Sequence, residues 1–190
     1  MAINLTGGQK VSLTKYDPNL KNITLGLGWN FVPRGIGMSF DLDASAFLLT
    51  AIGKVSGPKD FIFYGNLTHP SGSVTHKGDR PGSGDKAKIK IDLSLIPSTV
   101  VRIAFTVTVY EPEESRQTFG SVHNAYLRIV DEKNNDELVR YNIETTFSNE
   151  TAVVFGELYR NNGEWKFNAM GDGYSGGLAG LCGKYGVEVG

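Results

Sequence analysis

The chain has 190 residues, 40% of them apolar and 21% charged, with a formal net charge of −1. This is an ordinary soluble composition for a single domain, 1–190, with a real core. It excludes a basic excess for nucleic acid, a polybasic tail for a membrane surface and an apolar run long enough to cross a bilayer.

The opening "MAINLTGGQKVSLTK" has no basic segment followed by an apolar one and does not read as a signal peptide. Cys182 is the single cysteine, so no internal disulfide forms, which agrees with a reducing compartment. The expected location is cytoplasmic. Within "LAGLCGKYG", Cys182 has no cationic or histidine neighbour to activate it and reads as a small packed residue. Glycine is abundant, 24 residues, and scattered. Many glycines between apolar segments mean many turns, which favours β structure.

In chain order the apolar segments are short and rich in β-branched and aromatic residues. "KVSLTK" alternates, and "NITLGLGW" and "FDLDASAFLL" follow. "DFIFYG", "KAKIKIDL" and "VVRIAFTVTVY" come next, then "NAYLRIVD", "ELVRYNIE", "TAVVFGELYR" and "EWKFNAM". Each reads as a strand. "KAKIKIDL" is a clear period-2 strand, with Lys86, Lys88 and Lys90 opposite Ala87, Ile89 and Ile91. Two hairpins are expected, around Asn134-Asn135-Asp136 and around Asn161-Asn162-Gly163, where Asn-Gly supplies positive φ. "PEESRQTFGSV" and "GGLAGLCGKY" are the candidates for short helices. The fold class is therefore all-β: a two-sheet sandwich of mainly antiparallel strands with one or two short helices.

The chemistry concentrates at "FDLDASAFLL", residues 40–49. On a strand, residues two apart share a face. Asp41, Asp43 and Ser45 then lie on one side with Phe47 and Leu49, which makes that side at least half buried. Two carboxylates about 6.5–7 Å apart on such a face repel strongly unless water or a cation relieves them.

Four readings compete. The face is solvated; or the Asp pair is the nucleophile and acid/base of a haloacid-dehalogenase-like phosphatase; or it is the metal-binding pair of a glycosyltransferase; or it is one wall of a Ca²⁺ site. The two enzymatic readings belong to α/β folds, which this chain does not resemble in pattern. A Ca²⁺ site takes six to eight oxygens in irregular geometry. The loop 78–85, "GDRPGSGD", offers Asp79 and Asp85, and Asn66 offers an amide oxygen. The metal-ligand candidates are thus Asp41, Asp43, Asn66, Asp79 and Asp85. No nucleophilic triad can be assembled, so no catalytic residue is assigned.

The motifs "GLGWN", "FDLDASAFLL", "DFIFYGN", "GSVTHKGD", "QTFGSVHNAYLRIVD" and "TAVVFGELYRNNGEWKFNAMGDGYSGGL" occur in this order. Together they are similar to the TerD family of tellurium-resistance and stress-response proteins, over essentially the whole chain. The resemblance implies a Ca²⁺-binding β-sandwich without catalytic activity, associated with resistance to tellurite, phage and pore-forming colicins. In some relatives it is linked to cyclic-nucleotide binding. It implies an adaptor or sensor whose partners are other proteins of a stress-resistance complex, with the inner face of a membrane among the possible settings.

The family's acidic loop reads roughly G-D-N-x-T-G-x-G-D-G-D-D-E. Here Asp79 keeps the first acid and Gly82-Ser83-Gly84-Asp85 the core, but the trailing acids are replaced by Lys86 and Lys88 and the loop is shorter. Fewer charged ligands weaken Ca²⁺ binding. One site is expected to survive and a second to be weak or lost.

Among the remaining features, the histidines His69, His76 and His123 lack zinc spacing, and His76 reads as a solvated loop residue beside the acidic loop. "GDGYSGGLAGL" reads as the end of one strand and the start of a short helix rather than a phosphate loop. Trp29, Trp165, Phe167 and Tyr159 read as packing residues. Glu157 is a carboxylate within an apolar strand whose partner the sequence leaves open: Arg160, another charge or the metal.

Overall fold

In the computed structural model, residues 1–32, 41–79 and 84–188 are described. Phe40 and the loop positions Arg80, Pro81, Gly82 and Ser83 lie outside them.

Twelve strands form among the described residues: β1 (Ile3–Leu5), β2 (Lys10–Ser12), β3 (Asn22–Phe31), β4 (Leu42–Leu49), β5 (Phe61–Ile62), β6 (Val74–Asp79), β7 (Ala87–Asp92), β8 (Arg102–Val109), β9 (Val122–Asp131), β10 (Asp136–Asn142), β11 (Ala152–Asn161) and β12 (Glu164–Tyr174). Two short helices, α1 (Pro112–Ser115) and α2 (Gly177–Tyr185), accompany them. The first sheet has the order β1-β10-β9-β3-β7-β6 and the second β2-β12-β11-β8-β4-β5. Pairings are antiparallel apart from β1 on β10. The expected sandwich is the observed one.

The sequence explains why the two sheets differ. In β7 the apolar Ala87, Ile89 and Ile91 are buried, while the lysine side faces outward. The face of the first sheet that carries these lysines is wet, and β7 alternates accordingly. The strands β4, β8 and β11 are buried almost end to end. They face the main core on one side, through Ala46, Leu48, Phe105 and Val107. On the other side a second cluster of Phe47, Leu49, Ala104, Val154 and Leu181 packs beneath α2. A strand covered on both faces reads as a continuous apolar run, which is what "AFLL" and "VVF" are. Each such fully buried large side chain contributes about 1.5–3 kcal/mol.

Local chemistry sets the connections. Asn161 pairs with Glu164, and the two residues between them, Asn162 and Gly163, take φ of 52° and 75°. This is the two-residue turn that the Asn-Gly signal predicts. Cys182 sits in α2, buried, as expected of a packing residue. Trp29, Trp165 and Phe167 are buried and Tyr159 is half-buried.

Candidate metal centre

Strand β4 opens the site. Asp41 precedes it, exposed, with its carbonyl accepting from the Tyr110 amide at 3.0 Å. Asp43 is half-buried and stands opposite Thr108. Ser45, Phe47 and Leu49 continue the same face and are fully buried. The face is not a solvated one at Asp43.

Asp79 arrives from β6, the edge of the other sheet. Burial raises its pKa to about 6, and the backbone amide of Ala44 offsets part of this. Asp43 is likewise raised to about 6, by burial first and then by the negative charges of Asp79 and Asp41. Like charges brought together in a partly dry place disfavour ionisation. The three aspartates thus share one electrostatic neighbourhood, built by both sheets.

His76 fixes that neighbourhood. It is 2% exposed, so the expectation of a solvated loop histidine is corrected. Its Nε2–H donates to the Ala44 carbonyl at 3.0 Å, and its Nδ1 accepts from the Gly78 amide at 2.8 Å. Those partners define a neutral imidazole, and burial holds its pKa below the ordinary 6.5. His76 therefore positions Asp79, 3.9 Å away, without neutralising it. His69 is also buried; its ring nitrogens meet Asp60 and Ser71, each at 2.7 Å.

Two other candidate ligands have hydrogen-bond partners of their own. Asp85 faces the outer surface of the first sheet. Arg128 Nη2 donates to it at 2.7 Å, Arg128 Nε at 3.0 Å and the Tyr126 hydroxyl at 2.8 Å. These donors hold the Asp85 carboxyl below the usual carboxylate range, against burial. Asn66 closes a tight turn and donates its side-chain amide to the Phe61 carbonyl at 2.8 Å. Glu157, left open by the sequence, lies 3.9 Å from Arg102, and burial raises its pKa. Arg160 instead donates to the carbonyls of Val100 and Ile96, each at 2.9 Å.

A missed feature explains the glycine pattern in "LGLGW". A Cβ at Gly26 would stand 2.4 Å from the Asp85 carboxylate, and one at Gly28 would stand 2.2 Å from the Tyr126 ring. Bare backbone on this face of β3 is what lets the Asp85–Arg128–Tyr126 cluster lie flat on the sheet. Two glycines two residues apart on one strand were the available signal.

A hard cation suits the donor chemistry of Asp43 and Asp79: carboxylate oxygens whose mutual repulsion a bound positive charge would relieve. Among the described residues, no three histidine, cysteine or acidic side chains stand together as a complete metal cluster. The fit is thus to two carboxylates, with Asp41 adding charge at the rim.

Known proteins align with this chain along its length. The family model of the TerD domain matches residues 1–185. General stress protein 16U of Bacillus subtilis (strain 168) is 49% identical over 193 residues, covering 100% of both chains. Tellurium resistance protein TerD of Serratia marcescens is 50% identical over 192 residues, again covering 100% of both. Among solved structures, a homologue of telluride resistance protein (TerD) from Streptomyces coelicolor A3(2) superposes with a TM-score of 0.68 at 20% identity. It covers 86% of this chain and 95% of that one. At that identity the likeness concerns the fold.

Proposed function

Because the chain belongs to the TerD domain family, with relatives named for tellurium resistance and general stress, we propose that it is a calcium-binding, non-catalytic stress-response protein acting as a cytoplasmic adaptor or sensor. The observation that supports this reading is the meeting of Asp43 and Asp79. They come from two different sheets, and among the described residues no lysine or arginine forms an ion pair with either.

Asp43 and Asp79 would hold the ion, with Asp41 adding charge at the rim. A bound Ca²⁺ would supply positive charge that neutralises these carboxylates. The chain's own contribution is positional. His76 ties β6 to β4, so that the site reports on the approach of one sheet to the other. Partners, in this reading, are other proteins of a stress-resistance complex that dock on the surface so fixed.

Two observations oppose an enzymatic use of the Asp pair. The strand carrying it is antiparallel to its neighbours, and the frame is a sandwich rather than a doubly wound sheet. Calorimetry with Ca²⁺ tests the proposal. Binding heat and a raised unfolding temperature, both abolished in Asp43→Asn and Asp79→Asn, are expected. Absence of both binding heat and stabilisation at millimolar Ca²⁺ would sink it.

A further inference from the structure

Beside Asp43 a cavity of about 740 Å³ opens between β5, the β8–α1 connection and α2. That is within the range of about 300–1,000 Å³ typical of small-molecule sites. Its construction is unusual in three respects.

First, a run of aromatic rings leads from the core to its mouth. Phe47 stacks on Phe61 with centroids 4.6 Å apart, and Phe61 on Phe63 at 4.2 Å. Phe63 then meets Tyr64 edge-on at 5.1 Å, and Tyr64 meets Tyr110 at 6.3 Å. Tyr64 and Tyr110 are 53% and 43% exposed, so their surfaces are open to a ligand. Leu178, Cys182 and Val187 complete an apolar wall.

Second, the charge around it has one sign. Asp43, Glu111, Glu113, Glu114 and Glu188 line the cavity, and among the described residues no lysine, arginine or histidine does. Third, Glu111 is held in the left-handed region, at φ 45°, where a non-glycine residue is disfavoured. Strain of this kind persists where surrounding structure over-determines it and concentrates at ligand sites.

We propose that this cavity binds a small organic cation with an apolar, preferably aromatic, body. The rings would receive the apolar part. The tyrosine faces and the carboxylate rim would receive the ammonium or guanidinium head, by cation–π attraction and ion pairing. A neutral apolar ligand would leave the rim unused, and an anion would meet five carboxylates. The site is distinct from the proposed ion site in its aromatic and glutamate residues and shares Asp43 with it.

The test is isothermal titration of the full chain with 2-phenylethylammonium, in the presence of a calcium chelator so that the outcome is independent of the ion. The neutral 2-phenylethanol and the anionic 3-phenylpropanoate serve as matched probes. The cation should bind at least about tenfold more tightly than the alcohol, and the carboxylate should not bind. Glu111→Gln/Glu113→Gln/Glu114→Gln should erase the preference for the cation while leaving the fold intact by circular dichroism. Tyr110→Ala should weaken the cation by about tenfold, a cation–π loss near 1.4 kcal/mol. NMR shifts on binding should map to Tyr64, Tyr110, Leu178 and Cys182. No binding at millimolar cation, equal binding of the alcohol, or shifts mapping elsewhere would overturn the proposal.

Discussion

His76 on the edge of one sheet donates a hydrogen bond of 3.0 Å to the carbonyl of Ala44 on β4 of the other. Ala44 lies directly beside Asp43, and Asp79 is three residues beyond His76. One buried imidazole, together with the Ala44 backbone hydrogen bond to Asp79, therefore ties the strands that carry two carboxylates the chain separates widely.

Removing that imidazole should cost stability and ion binding together. His76→Ala loses two hydrogen bonds at a buried position and leaves a void, a change of about 2–4 kcal/mol. Urea unfolding gives the stability, and calorimetry should show weaker Ca²⁺ binding even though no proposed ligand has been altered. Unchanged affinity would mean that Asp79 holds its place without His76.

The pH dependence follows from Asp43 and Asp79. Both have folded pKa values raised from 3.8 to about 6. The unfolded chain ionises first, so each group's contribution is full below about pH 3.8 and is lost as pH rises through about 6. His76, with its pKa lowered, acts in the opposite sense, its contribution being lost as pH falls below 6.5. The informative quantity is thus a difference. In calcium-free buffer, Asp43→Asn should gain on the parent chain as pH is raised from about 4 to 7, measured by urea unfolding. With Ca²⁺ present, affinity should fall as pH drops below about 6, because protons compete for the same oxygens.

Asp85 separates a structural role from a ligand role. Its side chain is 2% exposed and carries the bonds to Arg128 and Tyr126. Asp85→Asn removes the nearer of the two charges paired with Arg128, leaving Glu137 at 3.9 Å, and should cost about 2–4 kcal/mol. Its Ca²⁺ affinity should change much less than that of Asp43→Asn. A loss as large as at Asp43 would return Asp85 to the ligand set.

Gly26→Ala tests the same cluster from beneath. The added methyl would displace the Asp85 carboxylate, so a loss of about 2–4 kcal/mol is expected, read by thermal or urea unfolding. The double variant Gly26→Ala/Asp85→Asn should lose less than the sum of the two single changes, since both act on one contact.

What the sequence made legible was whatever was written locally. The alternation of "KAKIKIDL" placed β7, and Asn162-Gly163 placed the β11–β12 turn. The burial of the face that carries Asp43 follows from Phe47 and Leu49 on the same strand. What stayed hidden depended on distant partners. Strand β6, "VTHKGD", is polar enough to read as loop, and the partner of buried His76, the carbonyl of Ala44, stands 32 residues away in the chain. The three residues of β1 carry too little pattern, and their partner is β10. Arg128, 43 residues from Asp85, gave no sign that it would take that carboxylate.

The first dozen residues have a temporal consequence. Strand β1 pairs with residues 139–141 on the border of one sheet, and β2 with residues 166–168 on the border of the other. Neither seam can close before its distant partner has been synthesised. A nascent chain would hold residues 3–5 and 10–12 as unpaired strands through most of its translation, a stage at which they can pair with foreign strands. Conditions that slow elongation would lengthen that interval.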